Sequence, residues 1–275
     1  MSNGKVILSG EHAVVYGKTA LATQISLGVK VDIVENNGSE KSELVKKAIQ
    51  VAGGNESIQV IIESQLPVGS GLGSSAAVAA ATIKAVREHS GKPIDNNELY
   101  KLTMECEKLA HGNPSGLDPT TVIYGGLIAF RRGQPFERLN IPNPVKILLV
   151  NSGKPQETTK EMVEMVANNP RKIEIIEKIG GVSESVEKAL CSGRDISQLL
   201  NENGKLLEEL GVVGEVAKRI SKEIREIGGS VKITGAGGVK AGSGMMIVLA
   251  PDYTNIKKML NNKHIDYFEV KIGVQ

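Results

Sequence analysis

Residues 67–81 read PVGSGLGSSAAVAAA, the stretch whose residue types and spacing point most directly to chemistry. Gly69, Gly71 and Gly73 permit positive φ angles and a close backbone approach that a side chain would block. Two serines and an alanine-rich segment follow. A turn of this kind entering a helix aims several backbone N–H groups at one spot, where the helix N-terminus adds partial positive charge. That is the physics of a phosphate cradle, here built from Gly69, Ser70, Gly71, Leu72, Gly73, Ser74 and Ser75. Ser74 and Ser75 suit the N-cap region, and their hydroxyls could also reach an anion or its metal ion.

Residues 71–76 also fit the dinucleotide pattern G-x-G-x-x-G/A. That reading needs a second strand ending in an acid about 20 residues on. Instead the helix runs to about residue 89 and gives way to Gly91-Lys92-Pro93 and another helix. No Gly-Lys-Ser/Thr follows the glycines, which excludes a Walker A loop. The plain alternative is a tight strand-to-helix connection with no ligand.

The elements around the cradle follow from hydrophobic period and turn residues. Residues 5–8 read as a first strand, and Leu27, Val29, Val31 and Ile33 alternate as a second. Residues 42–52 form a helix closed by Gly53-Gly54, and 58–66 the strand that feeds the cradle. Asp95 caps a helix to about 110, with Glu98 completing a capping box and Leu99, Leu102, Cys106 and Leu109 as its buried stripe. A turn-rich loop, 111–119, then holds Asp118 beside Pro119, and 122–130 and 145–150 read as strands. Beyond Asn151 the pattern is mostly helical: 157–168, 170–179, 183–192, 196–210 and 213–227. A strand at 230–234 enters a second glycine cluster, 235–238, and a strand at 243–250 leaves it. A helix (253–261) and a strand (265–272) follow. This pattern predicts an α+β protein of two lobes, 1–151 and 152–275.

Composition removes several classes of function. The 275 residues carry a net charge of +2, no Trp and few aromatics, which supplies neither the basic face nor the stacking platforms of nucleic-acid binding. Cys106 and Cys191 have no metal-ligand spacing, and the four histidines are scattered. No signal peptide or bilayer-length apolar run is visible, so a cytoplasmic protein without a membrane partner is expected.

Three glycine-bearing stretches occur in one order: 4–17 (GKVILSGEHAVVYG), 67–77, and 232–238 (KITGAGG). Together they resemble the signatures of the GHMP small-molecule kinases. Within them, GEHAVVYG and the stretch from His111 to Asp118 resemble the mevalonate kinase family in particular, and the likeness covers nearly the whole chain. It implies an N-terminal lobe like ribosomal protein S5 domain 2, a ferredoxin-like C-terminal lobe, and ATP in the cleft between them. The implied reaction is transfer of the ATP γ-phosphoryl group to the 5-hydroxyl of mevalonate, with a homodimer as one option for assembly. Other kinases of the superfamily, acting at the 3-hydroxyl of mevalonate or on phosphomevalonate, homoserine or a sugar, are the alternative. A catalytically inactive nucleotide sensor on the same fold is another.

The resemblance also assigns residues. The cradle and Gly235, Ala236 and Gly237 bind the nucleotide phosphates. Ser75 and Glu107 hold Mg²⁺, an ion that prefers oxygen ligands and keeps several waters. Glu105 is a rival: it lies two positions from Glu107 and on another face of the helix, so the sequence physics does not choose between them. Asp118 is the candidate base and Lys5 its partner. An alcohol is about as weak an acid as water (~15.7), so late proton transfer, as the O–P bond forms, is favoured over prior deprotonation. Glu11 and His12 contact the acceptor, and Arg132, or its neighbour Arg131, could pair with the acceptor carboxylate. Lys154 is a further cation for that role. Two features depart from the family: Val239-Lys240-Ala241 lengthens the third glycine loop, and residues 18–66 form a short span where relatives build nucleotide-side structure.

Overall fold

Alternating apolar residues build two antiparallel sheets, and longer apolar stripes build the helices that cover them. The computed structural model describes residues 1–35, 41–112 and 114–273. In chain order the elements are β1 (Ser2–Ser9), a 3-10 turn (Ala13–Tyr16), β2 (Ala20–Val34), α1 (Glu43–Val51), β3 (Gln59–Ser64), α2 (Ser74–His89), α3 (Asn96–His111) and α4 (Leu117–Tyr124). There follow β4 (Leu127–Phe130), β5 (Glu137–Leu139), β6 (Val145–Asn151), α5 (Thr159–Ala167), α6 (Lys172–Cys191), α7 (Ser197–Leu210), α8 (Glu215–Glu226), β7 (Ser230–Ile233), β8 (Met245–Leu249), α9 (Thr254–Asn262) and β9 (Tyr267–Ile272). Asn113, within the turn-rich stretch before Asp118, lies outside the described residues.

The chain forms two compact units: Met1–Lys5, Gln24–Val68 and Gly73–Gly125 make the first, and Val6–Thr23, Gly69–Leu72 and Gly126–Gln275 the second. In the first, β3 pairs antiparallel with the end of β2, Val29 opposite Ser64 through Val34 opposite Gln59. Around α2 pack α1, α3 and α4. Its buried face is largely alanine, with Ala76, Ala77, Ala79, Ala80 and Ala81 beside Ile83 and Val86. Such short side chains let neighbouring helices approach closely, which fixes the residues at its N-terminal end.

In the second unit, the start of β2 pairs with β4, Ala20 opposite Phe130, and β4 pairs with β5. A separate four-stranded sheet runs in the order β7-β8-β6-β9, and its paired strands are antiparallel. That order, with helices between β6 and β7 and between β8 and β9, is the split βαβ arrangement of the ferredoxin-like fold. The α+β expectation holds.

Four local expectations fail for identifiable reasons. Residues 122–124 are helical, not strand: Pro119 stands in the first turn of α4, where its missing N–H costs nothing, and Gly125 ends the helix. The Gly180-Gly181 pair does not break α6. A Cβ on Gly180 would stand 3.1 Å from Lys18 Cδ, so this glycine makes room for packing that outweighs its low helix propensity of about 1 kcal/mol. Asp95 caps α3, accepting from Asn97 and Glu98 N–H, while the Glu98 side chain pairs with Arg87 in place of the expected capping box. Leu109 is exposed, and Thr103 and Glu107 are buried on α3 beside Leu99 and Cys106.

Candidate active site

The first unit holds two polar pairs, Lys5 with Asp118 and Ser75 with Glu107. Gly69, Gly71 and Gly73 all have positive φ, 70°, 84° and 70°, as the turn requires. The N-cap of α2 is Gly73, and no side chain caps its first turn. Ser74 and Ser75 are therefore the first helical residues rather than caps. The Ser75 hydroxyl donates to Glu107 Oε1 at 2.5 Å. Glu107 is buried and Glu105 exposed: the α3 face turned to α2 carries Glu107.

Lys5, on β1, is 1% exposed, and its Nζ lies 3.0 Å from Asp118 Oδ1. Asp118 lies in the first turn of α4, not in a loop, where the helix N-terminus favours a carboxylate. The Lys5 stem also passes over Gly73. A Cβ on Gly73 would stand 2.9 Å from Lys5 Cγ, so the glycine is needed for space as well as for its φ.

In the second unit, β1 ends in a strained turn. His12 has φ 59° and ψ −41°, and Ala13 N–H donates to Glu11 O at 2.6 Å. This is the rare γ-turn of positive φ; sparsely populated backbone of this kind costs about 1–3 kcal/mol and collects at functional sites. The buried His12 ring lies with Nε2 3.0 Å from Ala236 O. A carbonyl only accepts, so Nε2 carries the proton and Nδ1 of the neutral ring is an acceptor. Burial pulls the imidazole pKa down to about 4, against a smaller upward effect of the Ala236 bond. Glu11 is 1% exposed and its carboxylate accepts from Lys232 Nζ.

The third glycine stretch packs on the second. A Cβ on Gly71 would stand 2.2 Å from Thr234 O, and one on Gly244 would stand 2.7 Å from Ser70 O. Met245 N–H donates to Ser70 O at 2.9 Å. Gly235, Ala236 and Gly237 thus share a neighbourhood with Gly69–Leu72. Lys240 is exposed, and the extra loop residues are anchored elsewhere: Val239 and Lys240 N–H donate to Glu157 Oε1 at 3.3 and 2.9 Å.

Of the remaining candidates, Arg131 Nη2 donates to Thr19 Oγ1 at 3.0 Å, and Arg131 lines a cavity of about 340 Å³ with Glu184 and Glu187. Arg132 is half-buried in the turn after β4. Lys154 is exposed, with Cε 3.4 Å from where a Gly69 Cβ would stand. Sequence reasoning missed Lys232 and Glu157. Lys232 opens the third glycine stretch, but its partner lies 221 positions away, a distance that no local pattern encodes.

The model of the GHMP kinases N-terminal domain matches residues 43–126. The mevalonate kinase of Thermococcus onnurineus is 35% identical, across 90% of this chain and 87% of that protein. That of Pyrococcus furiosus is 34% identical with the same coverage. The crystal structure of the Methanococcus jannaschii mevalonate kinase superposes with a TM-score of 0.82 at 26% identity, covering 98% of this chain and 96% of that one. The chain belongs to the mevalonate kinase family of the GHMP kinases.

Proposed function

We propose that this chain, an ATP-dependent small-molecule kinase, transfers the γ-phosphoryl group of ATP to the 5-hydroxyl of mevalonate, giving 5-phosphomevalonate for isoprenoid biosynthesis. The observation that carries the reading is the Lys5–Asp118 pair at 3.0 Å, with the Lys5 stem against Gly73 of the cradle. A base, a cation and a phosphate-binding turn are what phosphoryl transfer asks of a protein, since its catalysis is mostly positioning and charge neutralisation.

Asp118 accepts a hydrogen bond from the attacking hydroxyl and takes its proton as the O–P bond forms. Lys5 offsets the negative charge that develops there. The cradle amides and those of Gly235–Gly237 orient the nucleotide phosphates. Ser75 and Glu107 supply the hydroxyl and carboxylate oxygens that suit Mg²⁺, and they would hold it. When bound, that ion neutralises phosphate charge. His12, through Nδ1, and Arg132 orient the acceptor. We place the lobe boundary between β5, ending at Leu139 in the first sheet, and β6, starting at Val145 in the second; a boundary at residue 151 would cut β6 from β8 and β9, with which it pairs.

An inactive sensor has no use for both the Lys5–Asp118 and Ser75–Glu107 pairs. The test is ADP release with Mg·ATP and a panel of mevalonate, phosphomevalonate, homoserine and galactose. Turnover is expected with mevalonate, and Asp118→Asn should lower kcat by about 10²–10⁴ with ATP binding nearly intact. Turnover with another acceptor alone would refute the substrate, and full activity of Asp118→Asn would remove this aspartate from the mechanism.

A further inference from the structure

We propose that Lys232 is a positioning residue for the phosphoryl acceptor: its ammonium holds Glu11 and thereby the strained turn that presents His12. The proposal rests on the reading of His12 as an acceptor contact.

Both side chains of the pair are removed from water, 0% exposed for Lys232 and 1% for Glu11. Lys232 Nζ also donates to Ile7 O at 3.0 Å. Burying two charges is expensive, and a well-packed apolar pair in such a place is often as stable or more so. Stability alone therefore does not account for a lysine and a glutamate here.

The geometry supplies another reason. Lys232 and Thr234 alternate onto one face of the chain at β7, and both reach β1. Thr234 Oγ1 accepts from Ile7 N–H at 2.8 Å, and Ala236 O, two residues on, takes the His12 ring at 3.0 Å. Lys232 thus holds residues 7 and 11, Thr234 residue 7, and Ala236 residue 12. Gly10, just before the turn, has φ 95° and no room for a side chain, since a Cβ would stand 2.5 Å from Ala20 Cα. A strained turn persists only where its surroundings over-determine it. At its first corner, Glu11, the charge pair with Lys232 is the restraint. A loosened corner leaves the imidazole tethered at Ala236 but free to change its direction at Nδ1.

The test uses Lys232→Met and the double variant Lys232→Met/Glu11→Gln in the full chain. The single variant strands a buried carboxylate and serves only to measure the cost of breaking the pair. The double variant removes both charges and should melt close to the wild type. It is expected to raise KM for the acceptor at least tenfold with KM for ATP changed less than twofold. The ¹⁵N spectrum of the His12 ring should keep its Nε2-protonated form, held by Ala236 O, while the Nδ1 resonance shifts. A pair that is merely structural would return both stability and acceptor KM to wild-type values in the double variant, which would overturn the proposal, as would equal rises in both KM values. If the wild type uses a different acceptor, the same split is read with that acceptor. If it shows no turnover, the ring spectrum decides: an unchanged His12 pattern in the double variant overturns the proposal, and a changed one supports it.

Discussion

Glu107 and Glu105 illustrate what a single residue's surroundings decide. Two positions apart on α3, they are chemically equivalent in sequence, yet Glu107 is 2% exposed and bonded to Ser75 while Glu105 faces solvent. Glu107→Gln should weaken apparent Mg²⁺ affinity by roughly 10–100-fold, the scale of lost ligand support at metal sites, and Glu105→Gln should leave it unchanged. Titrating Mg²⁺ against turnover separates the two, and equal effects would remove Glu107 from its role. His12 makes a second prediction. Its pKa is about 4 in the folded chain against an ordinary 6.5, because burial disfavours the cation. The unfolded chain therefore binds the proton first, and stability rises with pH across this window. The contribution is complete above about 6.5 and is lost as pH falls toward 4, on the order of 3 kcal/mol in all. Glu174 and Glu269, each held near 2 by flanking lysine or arginine partners, lose their contribution only below about 4.5. Denaturant melts between pH 6.5 and 4.5 should thus show a slope that His12→Gln removes; an unchanged slope would contradict the burial argument.

Elements differ in how plainly the sequence declares them. The cradle strand, α2 and α3 are legible because their glycines, cap residue Asp95 and apolar stripes are local signals. Less legible are α4 and the unbroken α6. There Gly116, the threonines back-bonded to Gly116 O and Leu117 O, and the packing of Lys18 over Gly180 override the local pattern. The active-site types were readable from glycine spacing and the family likeness, whereas the pairing of Glu11 with Lys232 is purely tertiary. Backbone space yields a prediction at this scale. Gly71 has positive φ and no room beside Thr234 O, while Gly91 has φ 66° with nothing within 4 Å. Gly91→Ala should cost only the left-handed penalty of about 1–2 kcal/mol. Gly71→Ala adds a backbone clash and should cost clearly more, with loss of nucleotide binding. Equal melting shifts for the two would show that the contact between the second and third glycine stretches is not needed.

Across the whole molecule, residues far apart in sequence are brought together: Lys5 with Asp118 and Ser75 with Glu107 in one unit, and residues 7–12 with 232–236 in the other. Among the described residues no helix is long and apolar enough to cross a membrane. The central claim, a kinase that phosphorylates the 5-hydroxyl of mevalonate with Asp118 as base, is tested most directly by phosphorus NMR of the product formed from Mg·ATP and mevalonate. A phosphomonoester signal coupled to the C5 methylene protons, appearing with ADP and absent with Asp118→Asn, is the expected result. A phosphate on the tertiary 3-hydroxyl, or a product formed at an undiminished rate by Asp118→Asn, would contradict it.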